Sequence, residues 1–325
     1  MTYIAIILAL ALVYGYLNGL HGSAAIVSTM ISSRALGPRQ ALLLAALGIT
    51  AGPFLLGVAV ASTIGAELVN VNDETANVVI AGLLGAILWS SITFWLKIPS
   101  SISQSLIGGL IGAVWVGSQD VMTSGLSKTL LSLFLSPALG ILIGFGFVRL
   151  FYRLCASATP HVNLWFKRGQ VLVSLLMAVA FGANDGQKIM GVITLGLVAT
   201  GFTSTFYVPM WVVAFTAAAI GIGTLMGGWR LIHTLGGKFY KIRPIHGFGA
   251  QLASGMVILS AAVLGGPVSG SQVVTSAIVG AGSADRIQKV RWGVAQHILM
   301  GWLLTLPFSA LVGALAYVAI EKVLV

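Results

Sequence analysis

The chain has 325 residues, 58% of them hydrophobic and only 7% charged, with a mean hydropathy of +1.01. A soluble domain carries roughly 25% charged residues, so this composition excludes a water-soluble fold and reads as a polytopic membrane protein. The net charge of +10 does not indicate nucleic acid, because Lys and Arg gather in short loops between apolar segments, where they act as topology determinants.

Apolar stretches follow one another almost without linkers, each of about 18 to 30 residues and long enough to span. The first runs from Tyr3 to Ala35. It lacks a basic leader and reads as a retained span, expected to break near Asn18-Gly19-Leu20-His21-Gly22. Arg34, Pro38 and Arg39 mark a basic loop. A second span from Gln40 to Ile64 ends in the acidic stretch GAELVNVNDET, and a third from Ala76 to Leu96 closes at Lys97. The segment PSSISQSLIGGLIGAVWVG follows, then a short loop with Asp120 and Lys128, then a fifth span ending at Arg149 and Arg153. Residues 156–169 read as a basic cytoplasmic loop closing at Lys167-Arg168.

The second half repeats this order. A broken segment is expected around Gly182 to Lys188, then a span from Pro209 to Trp229 and a loop with Arg230, Lys238, Lys241 and Arg243. A span from Gly247 to Leu264 leads into GGPVSGSQVVTSAIVGAG, a basic loop from Arg286 to Arg291 and a last span reaching Ile320. The positive-inside bias places the basic loops in the cytoplasm and Glu67–Glu74 outside. With about ten crossings, both termini fall outside and the two halves enter the membrane from opposite sides. The expected architecture is therefore all-α, with two inverted repeats of about five spans each, residues 1–155 and 170–325. Matching echoes support it: IPSSISQSLIGGLIGAV with GPVSGSQVVTSAIVGAG, and NGLHGSAAIVSTM with GANDGQKIMGVIT. Inverted repeats with broken helices point to a secondary transporter whose site lies near the midplane.

Two P-x-S motifs, Pro99 to Gln104 and Pro267 to Gln272, are the first candidates for that site. Proline fits the first turn of a helix, so each motif can begin a half-helix within the membrane. Free N–H groups at such a start favour an anion, with Ser101, Ser103, Ser269 and Ser271 as hydroxyl donors beside them. Gly270, Gln104 and Gln272 close the same turns.

The run Asn184-Asp185-Gly186-Gln187-Lys188 is the second candidate, because charges at bilayer depth are costly and rarely kept without a task. Asp185 and Lys188 stand i, i+3 and can pair. Asp185 is a candidate for cation or proton coupling with Asn184, and Lys188 for anion attraction. Asn18 and His21 hold the matching place in the first half as coupling candidates, His21 as a proton relay, with Ser23 beside them as a substrate contact. No nucleotide-binding loop is present, no nucleophile–base constellation supports an enzyme, and Cys155 alone fits neither a disulfide nor a metal site.

At these residues the sequence resembles the inorganic phosphate transporter (Pit) family of secondary carriers, over essentially the whole chain. GANDGQKIMGVITLGL matches the family's second N-D motif, IPSSISQ and GPVSGSQ fall on its paired serine motifs, and MGGWRLIHTLGGKFYKIRPIHG resembles its basic loop. The chain departs where the first repeat should read H-D-x-x-N and instead reads His21-Gly22-Ser23-Ala24-Ala25. It departs again where the serine motifs should end in His and end in Gln104 and Gln272. The resemblance implies import of phosphate driven by protons or sodium, in a cell membrane, with a sodium ion near Asp185 if sodium is the coupling ion and no other cofactor. A sulfate permease of the same family, a passive anion channel or a non-transporting sensor are the alternatives. The expected partners are inorganic phosphate (or sulfate) and the lipid bilayer, with a homodimer left open.

Overall fold

The structure, a computed structural model, describes residues 1–72, 74–96, 98, 100–117, 122–228, 232 and 240–324. Lys97, Pro99, Asp120, Trp229, Arg230 and Lys238 lie outside the described residues, so the proline that opens the first serine motif and most of the second-half basic loop are not placed.

Among the described residues eleven α-helices follow in chain order: α1 (Thr2–Ser32), α2 (Pro38–Leu55), α3 (Ala59–Gly65), α4 (Thr75–Trp95), α5 (Ile102–Val116), α6 (Thr123–Leu154), α7 (Val162–Ala199), α8 (Met210–Met226), α9 (Pro244–Leu264), α10 (Gly270–Asp285) and α11 (Trp292–Leu324). A hydrocarbon core leaves the backbone no water to bond, so a spanning segment must satisfy its own polar groups, and helices are how this chain does it. Among the described residues α1, α4, α6, α7, α9 and α11 are long and apolar enough to cross, and α2 and α3 reach that length only as a pair, bent by 75° at the short break between them. Of the roughly ten crossings expected, these are the helices of full spanning length among the described residues; α5, α8 and α10 are shorter. At 15 and 16 residues, α5 and α10 extend about 22–24 Å at 1.5 Å per residue, less than the roughly 30 Å of a bilayer core.

The breaks lie elsewhere than expected. Both α1 and α7 run unbroken through Asn18–Gly22 and Gly182–Lys188. Their glycines are contact points between helices: a Cβ on Gly19 would come within 2.0 Å of the Ile220 carbonyl oxygen, and one on Gly182 within 2.1 Å of the Ile49 carbonyl oxygen. Small residues at such crossings let membrane helices approach closely. The real break is at residues 56–58, inside the span expected to run unbroken from Gln40 to Ile64. Pro53 removes an N–H donor there, and Gly57 takes a φ of +70°. The basic loop expected over residues 156–169 is also shorter, since residues 162–169, Lys167 and Arg168 among them, form the first turns of α7. Lys128, expected in a loop, lies in the second turn of α6 and pairs with Glu67 at 3.4 Å.

The packing of the two halves interchanges. Helix α2 packs on α7 where α8 packs on α1, and α5 packs on α11 where α10 packs on α6. The starts of α5 and α10 meet at the centre of this arrangement, where the Ser101 hydroxyl donates to Ser269 Oγ at 2.8 Å.

Candidate functional site

A buried cavity of about 50 Å³ lies beside that meeting point, lined by Asn18, His21 and Gly22 of α1, Ser100, Ile102 and Ser103 at the start of α5, and Phe181 and Asp185 of α7. Gly270, Ser271 and Thr275 of α10, with Ile298 and Trp302 of α11, complete the wall. A single water needs roughly 10–15 Å³ on this measure, so the space suits a compact ion of a few heavy atoms.

The two helix starts present different faces to it. Ser101 caps α5, its Oγ accepting from the Gln104 N–H at 3.2 Å. Ser269 stands at the same place before α10 but makes no side-chain cap; its Oγ accepts from Ser101 and contacts Ser271 Oγ at 3.3 Å. The first N–H groups of an α-helix have no intrahelical acceptor, and those of α10 are left without a cap. Gly270 and Ser271 line the cavity at that end, which makes it the better seat for an anion.

Helix α7 supplies the charges. Lys188 is fully buried and Asp185 is 3% exposed. Lys188 Nζ donates to Asp185 Oδ1 at 2.5 Å, to Ser103 Oγ at 2.7 Å and to the Val268 carbonyl at 2.5 Å. Ser103 Oγ also stands 3.5 Å from Asp185 Oδ1, at the limit of hydrogen bonding. Both donors to the carboxylate reach Oδ1, and among the described residues none reaches Oδ2. Asn184 holds the segment before α10, donating from Nδ2 to the Gly266 carbonyl at 3.0 Å and accepting the Val268 N–H on Oδ1 at 3.2 Å.

Of the residues singled out in the sequence, the cavity brings together Asn18, His21, Ser103, Asp185, Gly270 and Ser271. Asn18 Nδ2 is buried with no partner among the described residues, a donor that a ligand in the cavity can satisfy. The His21 ring donates from Nδ1 to the Leu17 carbonyl at 2.9 Å and packs edge-on against Phe94. Ser101 and Ser269 stand just behind the wall.

Other expected substrate contacts do different work. Gln187 accepts the Val60 N–H at 2.7 Å and donates to the Leu56 carbonyl at 3.3 Å, satisfying the backbone freed at the α2–α3 break. Ser23 Oγ donates to the Leu20 carbonyl and accepts the Gly228 N–H at 2.9 Å. Gln104 and Gln272 are buried, with Oε1 of the first and Nε2 of the second unpartnered, but they do not line the cavity. Lys188 stands behind Asp185 with its three donors taken.

Sequence reasoning missed Thr275, Phe181, Trp302 and Ile298. Thr275 had a signal, one helical turn beyond Ser271. Phe181 accounts for two glycines at once: a Cβ on Gly22 would meet its ring at 2.9 Å and one on Gly270 at 2.4 Å. The ring fills the volume that larger side chains would take at both positions.

The chain matches the phosphate transporter family over residues 18–313. It is 39% identical, over 98% of its length and 96% of the relative's, to a probable low-affinity inorganic phosphate transporter of Rhizobium meliloti (strain 1021). A protein of Bacillus subtilis (strain 168) with the same description is 37% identical over 99% of this chain and 98% of its own. Among solved structures, one described as the sodium-dependent phosphate transporter superposes with a TM-score of 0.87, covering 99% of this chain and all of that one at 23% identity. That likeness speaks for the fold.

Proposed function

The chain belongs to the phosphate transporter family, and we propose that it imports inorganic phosphate as a secondary carrier, binding it in the cavity between α1, α5, α7, α10 and α11. The observation that carries this reading is the head-to-head meeting of two half-length helices, Ser101 against Ser269, beside a buried cavity with one carboxylate in its wall. Positive helix ends converge there, while the Asp185–Lys188 pair sums to zero charge and adds no net repulsion. Ser103, Ser271 and Asn18 offer neutral donors to phosphate oxygens. Asp185 offers an acceptor for the phosphate O–H, a proton that sulfate lacks, and so favours phosphate over sulfate.

Accumulating an anion requires a coupled proton or sodium gradient, and Asp185 and His21 are the groups in the wall able to respond to one. In this reading the two halves are inverted repeats, and alternating access comes from rocking one against the other. The test is uptake of radiolabelled phosphate into proteoliposomes under separate proton and sodium gradients, with excess sulfate as competitor. Uphill phosphate uptake that sulfate leaves unchanged supports the carrier. Uptake of sulfate itself moves the chain to a sulfate permease, and equilibration without accumulation makes it a passive channel.

A further inference from the structure

The geometry around Lys188 points to a role that pairing with Asp185 does not explain. We propose that its ammonium is a tethered cation occupying a seat shaped for a free monovalent one, so that this protein binds no sodium there, and that removing the amine opens a sodium site. The proposal rests on the carrier reading only for its meaning in transport; the seat stands on its own geometry.

Nζ has three N–H bonds and three oxygen partners: the Asp185 carboxylate, the Ser103 hydroxyl and the Val268 carbonyl. Carboxylate, hydroxyl and backbone carbonyl oxygens are the donors that hard metal cations take. They come from three places in the fold: α7 itself, the start of α5 and the segment leading into α10. Whatever fills the seat therefore ties both half-helix starts to the central helix. A monovalent cation balances the one buried carboxylate as the ammonium does, whereas a divalent ion leaves a buried positive charge uncompensated. The ammonium is saturated by these contacts and has no donor left for an anion. The matching turn of α1 has Gly22 and the fully buried Ala25 in the corresponding positions, so that turn supplies neither a carboxylate nor an ammonium.

Thermal unfolding of the purified full chain in detergent, free of phosphate, tests this, with sodium chloride exchanged for choline chloride at constant ionic strength. The wild type is expected to unfold at the same temperature in both salts. Lys188→Ala should unfold lower in choline and recover saturably with sodium, by on the order of 5 °C. The double variant Asp185→Ala/Lys188→Ala should show no recovery. A saturable sodium stabilisation of the wild type overturns the proposal, and so does a folded Lys188→Ala that ignores sodium. Lys188→Ser takes the same readout if the alanine variant does not fold. Failure of both to fold even in sodium also counts against it, since an ion that fits restores the missing charge. With phosphate absent, a negative result here leaves the carrier reading standing, and loss of phosphate uptake leaves this one standing.

Discussion

The turns of α1 and α7 that flank the cavity occupy matching places in the two halves, yet they solve the same burial problem with opposite chemistry. In α7 the turn carries Asn184, Asp185, Gln187 and Lys188: Asn184, Gln187 and Lys188 bond to neighbouring elements, and Asp185 pairs with Lys188. In α1 the turn carries His21, Gly22, Ser23, Ala24 and Ala25, packed by small residues and three hydroxyl or ring contacts to backbone. Polar groups buried in α7 cost too much to stand alone, so they double as clamps on the broken span and on the start of α10. The lesson is that a polar turn in a membrane helix holds its surroundings as much as it serves a ligand.

Breaking the charged turn is the largest expected perturbation. Asp185→Asn leaves a buried ammonium uncompensated, which costs about 3–5 kcal/mol; denaturation in detergent should show it, and accumulation of phosphate should be lost. The corresponding change in α1, Gly22→Ala, brings a Cβ to 2.9 Å of the Phe181 ring and should cost about 1–3 kcal/mol by overpacking.

The next contrast lies one position on. Gln187→Ala strands the Val60 N–H and the Leu56 carbonyl at the α2–α3 break, and each buried orphan costs about 1–3 kcal/mol. Ser23→Ala strands the Gly228 N–H alone and should cost less; equal losses in the two variants would deny that Gln187 supports the break.

The two serines at the helix starts give the smallest effects and separate a cap from a bridge. Ser101→Ala loses both the bond to Ser269 and its own cap, about 0.5–2 kcal/mol for the cap alone. Ser269→Ala removes the bridge, about 0.5–1.5 kcal/mol, and the longer contact to Ser271 Oγ, but no cap. A larger destabilisation from Ser269→Ala, measured by unfolding of both variants, would reverse that assignment.

Much of the fold was legible because long apolar runs between basic loops have one physical meaning in a bilayer. The half-helix starts were legible from Ser101 and Ser269 for a similar reason: a serine turn opening an apolar run marks a helix start. The breaks were not. Glycine serves both to loosen a helix and to let another helix touch it, and Gly19 and Gly182 do the second. The true break was signalled by Pro53 and Gly57, which sit inside an apolar run that reads as one span. Within the site, Asp185, Ser103 and Ser271 stood out as polar residues in apolar stretches. Phe181 and Trp302 did not, since an aromatic residue in a membrane helix carries no local mark of facing a cavity. The duties of Gln187 and Ser23 were hidden because their partners are 127 and 205 residues away.

The central claim is that phosphate binds in the cavity beside Asp185, and cysteine protection tests it most directly. Cys155 is the single cysteine, so a Cys155→Ala background allows a lone cysteine at Thr275→Cys in a variant that still takes up phosphate. Phosphate should then slow alkylation of that thiol saturably, while sulfate at the same concentration leaves the rate unchanged. An alkylation rate indifferent to phosphate in a transporting variant would place the binding site elsewhere and contradict the account.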